Sequence, residues 1–207
     1  MKKILLSLAV LMAAAFTMNA QLSYSVNVGY ANQATSSKVT IGNSQTITKD
    51  AMGGFNFGVM ASYELMPNVA VNTGLQFDFA AKTDKDEIFG VETKVRAIAK
   101  DIEIPVRASY MLDLGEAAVF AYAGPAFEFG LVNKSVTTID ETSTTLNAYG
   151  EDGVLNRFNI LAGAGVGVLY HDLFLNVGYD FGLLDLNKND NNGLHTSELK
   201  VGLGIKF

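Results

Sequence analysis

Apolar and polar residues alternate one by one along most of the chain after residue 20. In each alternating segment, apolar side chains occupy every second position, and glycine, polar or charged residues fill most positions between them. A period of two predicts β-strands that have one apolar face. The chain contains eight such segments: residues 22–30, 55–63, 69–79, 102–110, 119–131, 158–170, 173–183 and 199–207.

The second face of these strands is rich in glycine and carries all of their charged residues. A soluble β-sandwich also alternates, but its apolar face lies in the core and its polar face covers a solvated sheet. Glycine and small residues have too little bulk for that cover, whereas they suit the crowded interior of a narrow barrel. We therefore expect the apolar face to point outward and the charged residues to point inward.

The connections between the segments alternate strictly between long and short. Those at residues 31–52, 81–100, 132–157 and 184–194 are long and polar, and those at 65–68, 112–118 and 171–172 are short. Such alternation places all long loops at one end and all short turns at the other, which is the plan of an outer-membrane barrel. The sequence therefore predicts an all-β fold, an eight-stranded antiparallel up-and-down transmembrane β-barrel.

The first residues have the features of an export signal. Lys2 and Lys3 precede an apolar run at residues 4–16, and Ala20 offers a cleavage position. This run is too short for a membrane-spanning helix and is typical of a secretory signal peptide. We expect a signal peptide over residues 1–20 and an outer-membrane β-barrel domain over residues 21–207.

The composition narrows the classes of function. Charged residues make up 17% of the chain, whereas soluble domains average about 25%. The sequence has no cysteine, which excludes a disulfide framework, a thiolate metal site and a cysteine nucleophile. Its formal net charge of −6 argues against a nucleic-acid partner.

The last segment alternates up to its final residue, Phe207. A terminal strand that ends in an aromatic residue is similar to the signal that outer-membrane proteins present to the barrel-assembly machinery. We therefore expect two partners, the lipids of the cell outer membrane and the barrel-assembly machinery.

Three stretches carry a resemblance to a known family. They are residues 101–106 (DIEIPV), residues 120–125 (FAYAGP) and the glycine-rich run that starts at Gly163 and continues through Tyr179. These stretches resemble the porin-family outer-membrane β-barrel domain, in particular its PorT-like group. The resemblance spans nearly the whole chain after residue 20 and implies an eight-stranded barrel. It implies no reaction.

The charged residues of the inner face form the candidate site. An eight-stranded barrel is just wide enough for side chains, and unpaired buried charges are costly, so these residues should pair across the lumen. Because acids outnumber bases, some carboxylate must be protonated, hydrated or bound to a cation. We expect a structural ion-pair network that plugs the lumen, with a gated conduit as the alternative: Glu103, Arg107, Glu128, Asp180, Glu198 and Lys200.

Aromatic residues on the inner face and prolines within the strands lead to two further expectations. Phe120 and Tyr122 should pack over glycines of the next strand, Gly165 and Gly167. Pro105 and Pro125 lie within predicted strands although a closed barrel has no free edge for them, so we expect a bulge or a missing ladder bond there.

Motifs that would carry chemistry are scarce. His195 and Ser197 lie two residues apart on the lipid-facing side, as in small barrels that deacylate lipid A, but no matching outward glutamate follows them. We expect no catalytic, cofactor-binding or metal-binding residues.

The function expected from the sequence is that of a non-enzymatic outer-membrane protein. Its barrel would anchor long polar loops that contact an unidentified surface or periplasmic partner, with residues 132–157 as the first choice for a recognition surface. A narrow porin-like channel for a small solute or ion is the alternative. An enzyme that modifies lipid A is the weakest of the three hypotheses.

Overall fold

The computed structural model describes residues 22–41, 44–88, 91–140, 142–150, 153–188 and 192–207. The predicted signal peptide, residues 1–20, lies outside the described residues. Within these ranges, no helix is long and apolar enough to cross a membrane. The described residues form nine β-strands: β1 (Leu22–Ile41), β2 (Ser44–Met66), β3 (Val69–Ile88), β4 (Val91–Asp113), β5 (Ala117–Ile139), β6 (Thr142–Asn147), β7 (Phe158–Tyr170), β8 (Leu173–Gly182) and β9 (Asn192–Lys206).

Eight of these strands form a closed ring in which each strand is antiparallel to both neighbours. Pairing follows chain order from β1 to β5 and continues through β7, β8 and β9. The ring closes where β9 pairs with β1, from Ser25↔Lys206 to Val39↔Asn192. The short strand β6 pairs with β5 and lies outside the ring. The predicted eight-stranded up-and-down barrel is therefore confirmed.

The apolar residues of the alternating segments point outward, as predicted. Val28 of β1 and Leu203 of β9 face each other across the closing pair, and their exposed fractions are 56% and 53%. Aromatic rings also line this surface, and those of Phe55 and Phe79 stack with their centroids 5.1 Å apart. Aliphatic and aromatic side chains that are half exposed in the middle of long strands form the belt that contacts lipid.

The strands extend far beyond the alternating segments at the loop end of the barrel. β1 continues to Ile41 and β2 begins at Ser44, although the polar sequence predicts a loop over residues 31–52. Most of residues 81–100 likewise belongs to β3 and β4. The loop predictions for these two connections were wrong because an antiparallel ladder in water needs paired backbone groups but no apolar face, so it leaves no alternating pattern to detect.

The two prolines within strands interrupt the ladder, as predicted. The pairing of β4 with β5 runs as far as Pro105↔Ala126 and resumes at Ala108↔Ala123, so the residues between them are left out. Neither proline has an N–H to donate to the neighbouring strand. A separate β-bulge lies in the same strand pair, where the register shifts between Lys100 and Asp101.

A charge on the outer face should destabilise the barrel in a depth-dependent way. Leu203 is the middle one of five outward apolar positions on residues 199–207 of β9 and its flank. Leu203→Arg should lower the free energy of unfolding by about 2–4 kcal/mol, because arginine near the bilayer midplane must be desolvated. Urea unfolding in lipid vesicles, followed by the gel mobility of folded and unfolded protein, measures the change.

The matched control is Leu146→Arg, since Leu146 lies on β6 outside the ring and is 68% exposed. This variant should unfold like the parent protein. Equal losses of stability in the two variants would contradict the assignment of the outer face to lipid.

Candidate functional site

Charged side chains from three strands meet inside the barrel. Glu103 and Arg107 project from β4, Asp180 from β8, and Glu198 and Lys200 from β9. All five point inward because they share the face opposite the apolar residues, and all are buried, with exposed fractions of 2–8%. The sequence-predicted residues of these three strands therefore share one region of the lumen.

Lys200 is the cation around which most of the carboxylates gather. Its Nζ pairs with Glu103 across the barrel, lies 3.0 Å from Glu198 Oε2 on its own strand, and lies 3.5 Å from Asp78 Oδ1 of β3. One carboxylate oxygen from each of these three acids lies within 4.8 Å of the other two, an arrangement that could hold a metal ion. In this barrel the Lys200 ammonium group lies among them, and it supplies the positive charge that they require.

Arg107 is the second cation, and it connects the network to the interrupted ladder. Its guanidinium pairs with Asp180 and lies 3.5 Å from Glu103 Oε1. It also donates to the carbonyl oxygen of Gly124, which lies beside Pro125 where the β4–β5 ladder is interrupted. Gly124 has a φ of 151°, which favours glycine. The missing ladder bonds thus leave a carbonyl group that Arg107 satisfies.

Glu128 points into the lumen, but it differs from the other predicted residues. It faces Glu103 on the neighbouring strand and accepts a hydrogen bond from Asn159 Nδ2 at 3.3 Å. None of the ion pairs among the described residues includes Glu128. Its place in the predicted ion-pair network therefore needs correction, because Arg107 and Lys200 pair with other carboxylates and Glu128 is held by Asn159.

Two inward acids are missing from the predicted network. Asp78 contacts Lys200, and Asp101 accepts a hydrogen bond from Gln33 Nε2 at 3.3 Å. Both are buried, and they face each other across β3 and β4. The alternation of the sequence already places both residues on the inner face, and this was sufficient reason to include them in the predicted network.

Aromatic side chains pack over glycines next to the network. Phe120 pairs in register with Gly167, and Tyr122 with Gly165, as predicted. A Cβ at either glycine would overlap the ring that faces it. The two rings therefore lie directly against β7, and the missing side chains of these glycines leave room for them.

The half of the lumen at the short-turn end is open rather than filled. A cavity of about 400 Å³ extends there and ends at the ion-pair network, where Glu103, Arg107 and Lys200 line it. Asn68 and Met111, beside the short turns, line the other end. The expectation of a lumen filled by side chains therefore needs correction in this half, where the cavity extends up to the ion-pair network.

At the loop end of the lumen, Tyr149 and Arg157, which lie between β6 and β7, pack against β5. The ring of Tyr149 lies against Gly130 of β5, and Arg157 lies over that ring, 4.9 Å from its centroid. Burial, with the nearby carboxylates of Asp101 and Glu128, raises the pKa of the Tyr149 hydroxyl. The hydroxyl therefore stays neutral at physiological pH, which suits a group placed beside buried acids.

Loss of Lys200 should destabilise the barrel strongly. Lys200→Met leaves Glu103 and Glu198 without their cation, and breaking a buried pair in this way lowers the free energy of unfolding by about 3–5 kcal/mol. Combining it with Glu103→Gln should cost less than the sum of the two single changes, because the pair is lost only once. Urea unfolding of all three variants in lipid vesicles gives the coupling free energy.

The control for these variants is Lys85→Met. It removes an exposed lysine whose Nζ lies 3.7 Å from Glu92 Oε1, and it should leave the free energy of unfolding nearly unchanged. Strictly additive effects of the Lys200 and Glu103 changes would show that the two residues do not depend on each other.

Comparisons with known proteins agree with this barrel. A family model described as outer membrane protein beta-barrel domain matches residues 16–188. Among solved structures, the chain is similar to Ail, the attachment invasion locus protein of Yersinia pestis, with 14% identity, a TM-score of 0.44 and coverage of 92% of this chain and 100% of that chain. It is also similar to the outer membrane protein OprG from Pseudomonas aeruginosa, with 10% identity, a TM-score of 0.46 and coverage of 89% and 95%.

At these low scores neither solved structure bears on the function of this chain. A comparison with curated proteins finds no significant match. The family model, however, covers most of the sequence, and the ring of eight antiparallel strands agrees with it. The chain therefore belongs to the outer membrane protein beta-barrel domain family and is a protein of the cell outer membrane.

Proposed function

We propose that this protein is a non-enzymatic membrane anchor whose strands project beyond the membrane and contact a surface partner. The observation that carries the proposal is the outer edge of β6, which lies at the end of the strand order and pairs with no further strand among the described residues. The hairpin of β5 and β6 falls within residues 132–157, the region favoured from the sequence for recognition.

The edge of β6 has the features that favour pairing with another strand. It pairs with β5 from Lys134↔Asn147 to Ile139↔Thr142, and all six of its residues are exposed. Its sequence, TSTTLN, contains neither charge nor proline and is rich in β-branched threonine. An exposed edge of this kind offers unpaired backbone groups to an extended peptide segment.

The corresponding edge of β3 is protected by charge. The ladder between β2 and β3 extends only as far as Gly53↔Ala81 toward the loop end. Beyond that pair, β3 continues in its ladder with β4 up to Ile88↔Val91, so its other edge is not paired with β2. The sequence from Asp84 to Glu87 is DKDE. Charged residues on an edge disfavour the addition of a further strand. The contrast between the two edges favours β6 as the surface that contacts a partner.

The absence of catalysis is part of this proposal. His195 is exposed on the outer face, but the nearest glutamate in sequence, Glu198, points inward and pairs with Lys200. Slight burial opposes ionisation of Asp185, but hydrogen bonds from the backbone N–H groups of Leu194 and Asn187 lower its pKa. Its Oδ1 therefore holds the backbone N–H groups of Asn187 and Leu194, which is a structural role.

Two finer assignments belong to the same proposal. Membership of the PorT-like group is supported by the resemblance of residues 101–106 and 120–125 to that group. Recognition by the barrel-assembly machinery is supported by Phe207, whose side chain is 71% exposed while its backbone N–H donates to the Tyr24 carbonyl at 2.7 Å. An aromatic side chain held in place but exposed is available to a second protein during assembly.

Site-specific photocrosslinking in intact cells tests the β6 edge. A photoreactive amino acid in place of Thr144 should yield a crosslinked product of defined mass, because the partner strand would lie beside it. The same substitution at Asp86, exposed on the charged edge of β3, should yield none. Adding Thr145→Lys to the Thr144 variant should remove most of the product, since a charge protects the edge.

The products are analysed by mass spectrometry, and heat-modifiable gel mobility checks that each variant is folded. Equal crosslinking from both edges, or crosslinking that Thr145→Lys does not change, would contradict recognition by β6.

A narrow channel for a small solute or ion is the alternative function, and the cavity at the short-turn end favours it. Glu103, Arg107 and Lys200 close this cavity toward the loop end, so conduction would require their ion pairs to separate. We expect no stepwise conductance from the parent protein in planar bilayers. Open-channel steps from the parent protein that change in size in Arg107→Ala would overturn the plugged lumen and support the channel.

A further inference from the structure

The outer surface of the barrel changes from apolar to basic where β4 leaves the aromatic part of that surface toward the loop end. One row of register pairs runs from Tyr30 through Phe55 and Phe79 to Lys100. Lys100 is exposed, and its Nζ lies 5.5 Å from the centroid of the Phe79 ring. A lysine at such a boundary lays its aliphatic part on apolar surface and extends its charge toward water or headgroups. Lys100 is therefore an outward cation at the edge of the lipid-facing surface.

Two further bases share this outward face. The β3–β4 ladder has no register shift between Lys100 and the hairpin tip, so alternation places Arg96 on the same face. Lys134 of β5 pairs in register with Ile98, which lies between the two on β4. Lys134 is thus a diagonal neighbour of both bases, at roughly 7–8 Å, a distance that long side chains span. We call Arg96, Lys100 and Lys134 the basic patch.

The charges of the basic patch have no acidic partner in the part of the chain that the structure describes. None of the ion pairs found there includes one of its three residues. Arg96 and Lys100 are exposed, and Lys134 is half-buried. The residues that pair in register with Arg96 and Lys100 on β3 and β5 carry no charge: Phe79, Thr83, Val132 and Val136. The patch therefore presents uncompensated positive charge.

Acids of the same strand extensions lie on the opposite face. Lys82 pairs there with Asp50, at 2.6 Å, and with Asp84, at 3.1 Å. On the outward face, the described acids of β3 and β4 lie near the hairpin tip, where Glu92 Oε1 is 3.7 Å from Lys85 Nζ. The two faces thus differ in charge, and the outward face is basic next to the membrane.

The position of the patch identifies the kind of anion that it fits. It continues the lipid-facing surface at the loop end, which in barrels of this plan lies at the outer leaflet. A lipid whose acyl chains pack on Phe79 and Ile102 would bring its headgroup to this height. Ile98, among the three bases, adds an apolar contact. Phosphate is the usual anionic group of lipid headgroups, and guanidinium and ammonium groups both bind it.

We propose that the basic patch binds the phosphate groups of a lipid in the outer leaflet. Arg96 and Lys100 are four residues apart on one strand, about 13 Å, with Lys134 between them, so a headgroup with two phosphates fits best. This contact uses the outward face of β4 and β5, whereas the proposed surface partner would use the backbone edge of β6. The two proposals can therefore fail independently.

Native mass spectrometry of the whole protein in a nonionic detergent tests the site, because it counts bound lipid directly. The probes are lipid A with two phosphates and the same lipid with one. Glucose 1-phosphate serves as a soluble phosphate, and a heparin fragment as a soluble polyanion. The lipid with two phosphates should bind at least about fivefold more tightly than the lipid with one. Glucose 1-phosphate at the same concentration should not displace it.

Charge-removing variants locate the binding. Arg96→Gln, Lys100→Gln and Lys134→Gln together should weaken binding of the lipid with two phosphates by at least about tenfold, since each base near an anionic lipid contributes roughly fivefold. The matched control removes the same charge from exposed lysines on β1, on β2 and after β8: Lys38→Gln, Lys49→Gln and Lys188→Gln. This control should bind like the parent protein.

Heat-modifiable gel mobility shows that each variant is folded, and crosslinking from Thr144 should persist in the patch variant because the β6 edge is unchanged. Unchanged lipid binding in the patch variant, or an equal loss in the control, would overturn the site. If the heparin fragment binds the patch more tightly than the lipid does, the patch serves a soluble polyanion and the assignment to lipid is wrong.

Discussion

The closing pair of β9 with β1 is the constraint on which the rest of this structure depends. In lipid no water pairs with backbone N–H and C=O groups, so a sheet can cross the membrane only if its first and last strands join. Here fifteen residue pairs join them, from Ser25↔Lys206 to Val39↔Asn192. Once the ring is closed, every strand has one face toward lipid and one toward a narrow lumen. The alternation of the sequence, its internal charges and its glycines all follow from that division.

Charged residues can be buried inside the ring because they form ion pairs with one another and hydrogen bonds with backbone groups. Glu103 is 2% exposed, and it lies between Lys200 and Arg107, which bring Asp78, Glu198 and Asp180 into the same network. The interrupted ladder at Pro105 and Pro125 belongs to this arrangement, since Arg107 donates to Gly124 at the gap. The carbonyl oxygen of Gly124, which lies where the ladder is interrupted, thus gains a donor, and the buried Arg107 gains an acceptor. The prolines, which break a rule for strands in a closed barrel, become understandable beside Arg107.

The sequence predicts well the features that contact with lipid imposes. It predicts poorly the length of the strands outside the membrane and the pairing of side chains across the lumen. Lipid sorts residues such as Leu203 and Lys200 onto opposite faces, so the ring and the inward charges could be predicted. Beyond the membrane nothing sorts them, and the strand continuations up to Ile41 and from Ser44 looked like loops. Partners across the lumen also escaped prediction. Lys200 and Glu103 are 97 residues apart, and which carboxylate reaches which cation depends on strand stagger, which alternation does not encode.

The two ends of the lumen differ because the inward residues differ in size along the strands. Toward the loop end, the Tyr149 ring lies against Gly130 inside the barrel, whereas toward the short turns the inward residues of β1 to β3 are mostly serine, asparagine and glycine. The cavity therefore lies on the turn side of the barrel and ends at the ion-pair network. A conduit would require Glu103 to leave Lys200 and Arg107 together, exposing several buried charges in one step. That cost favours a barrel that separates its two surfaces over one that connects them.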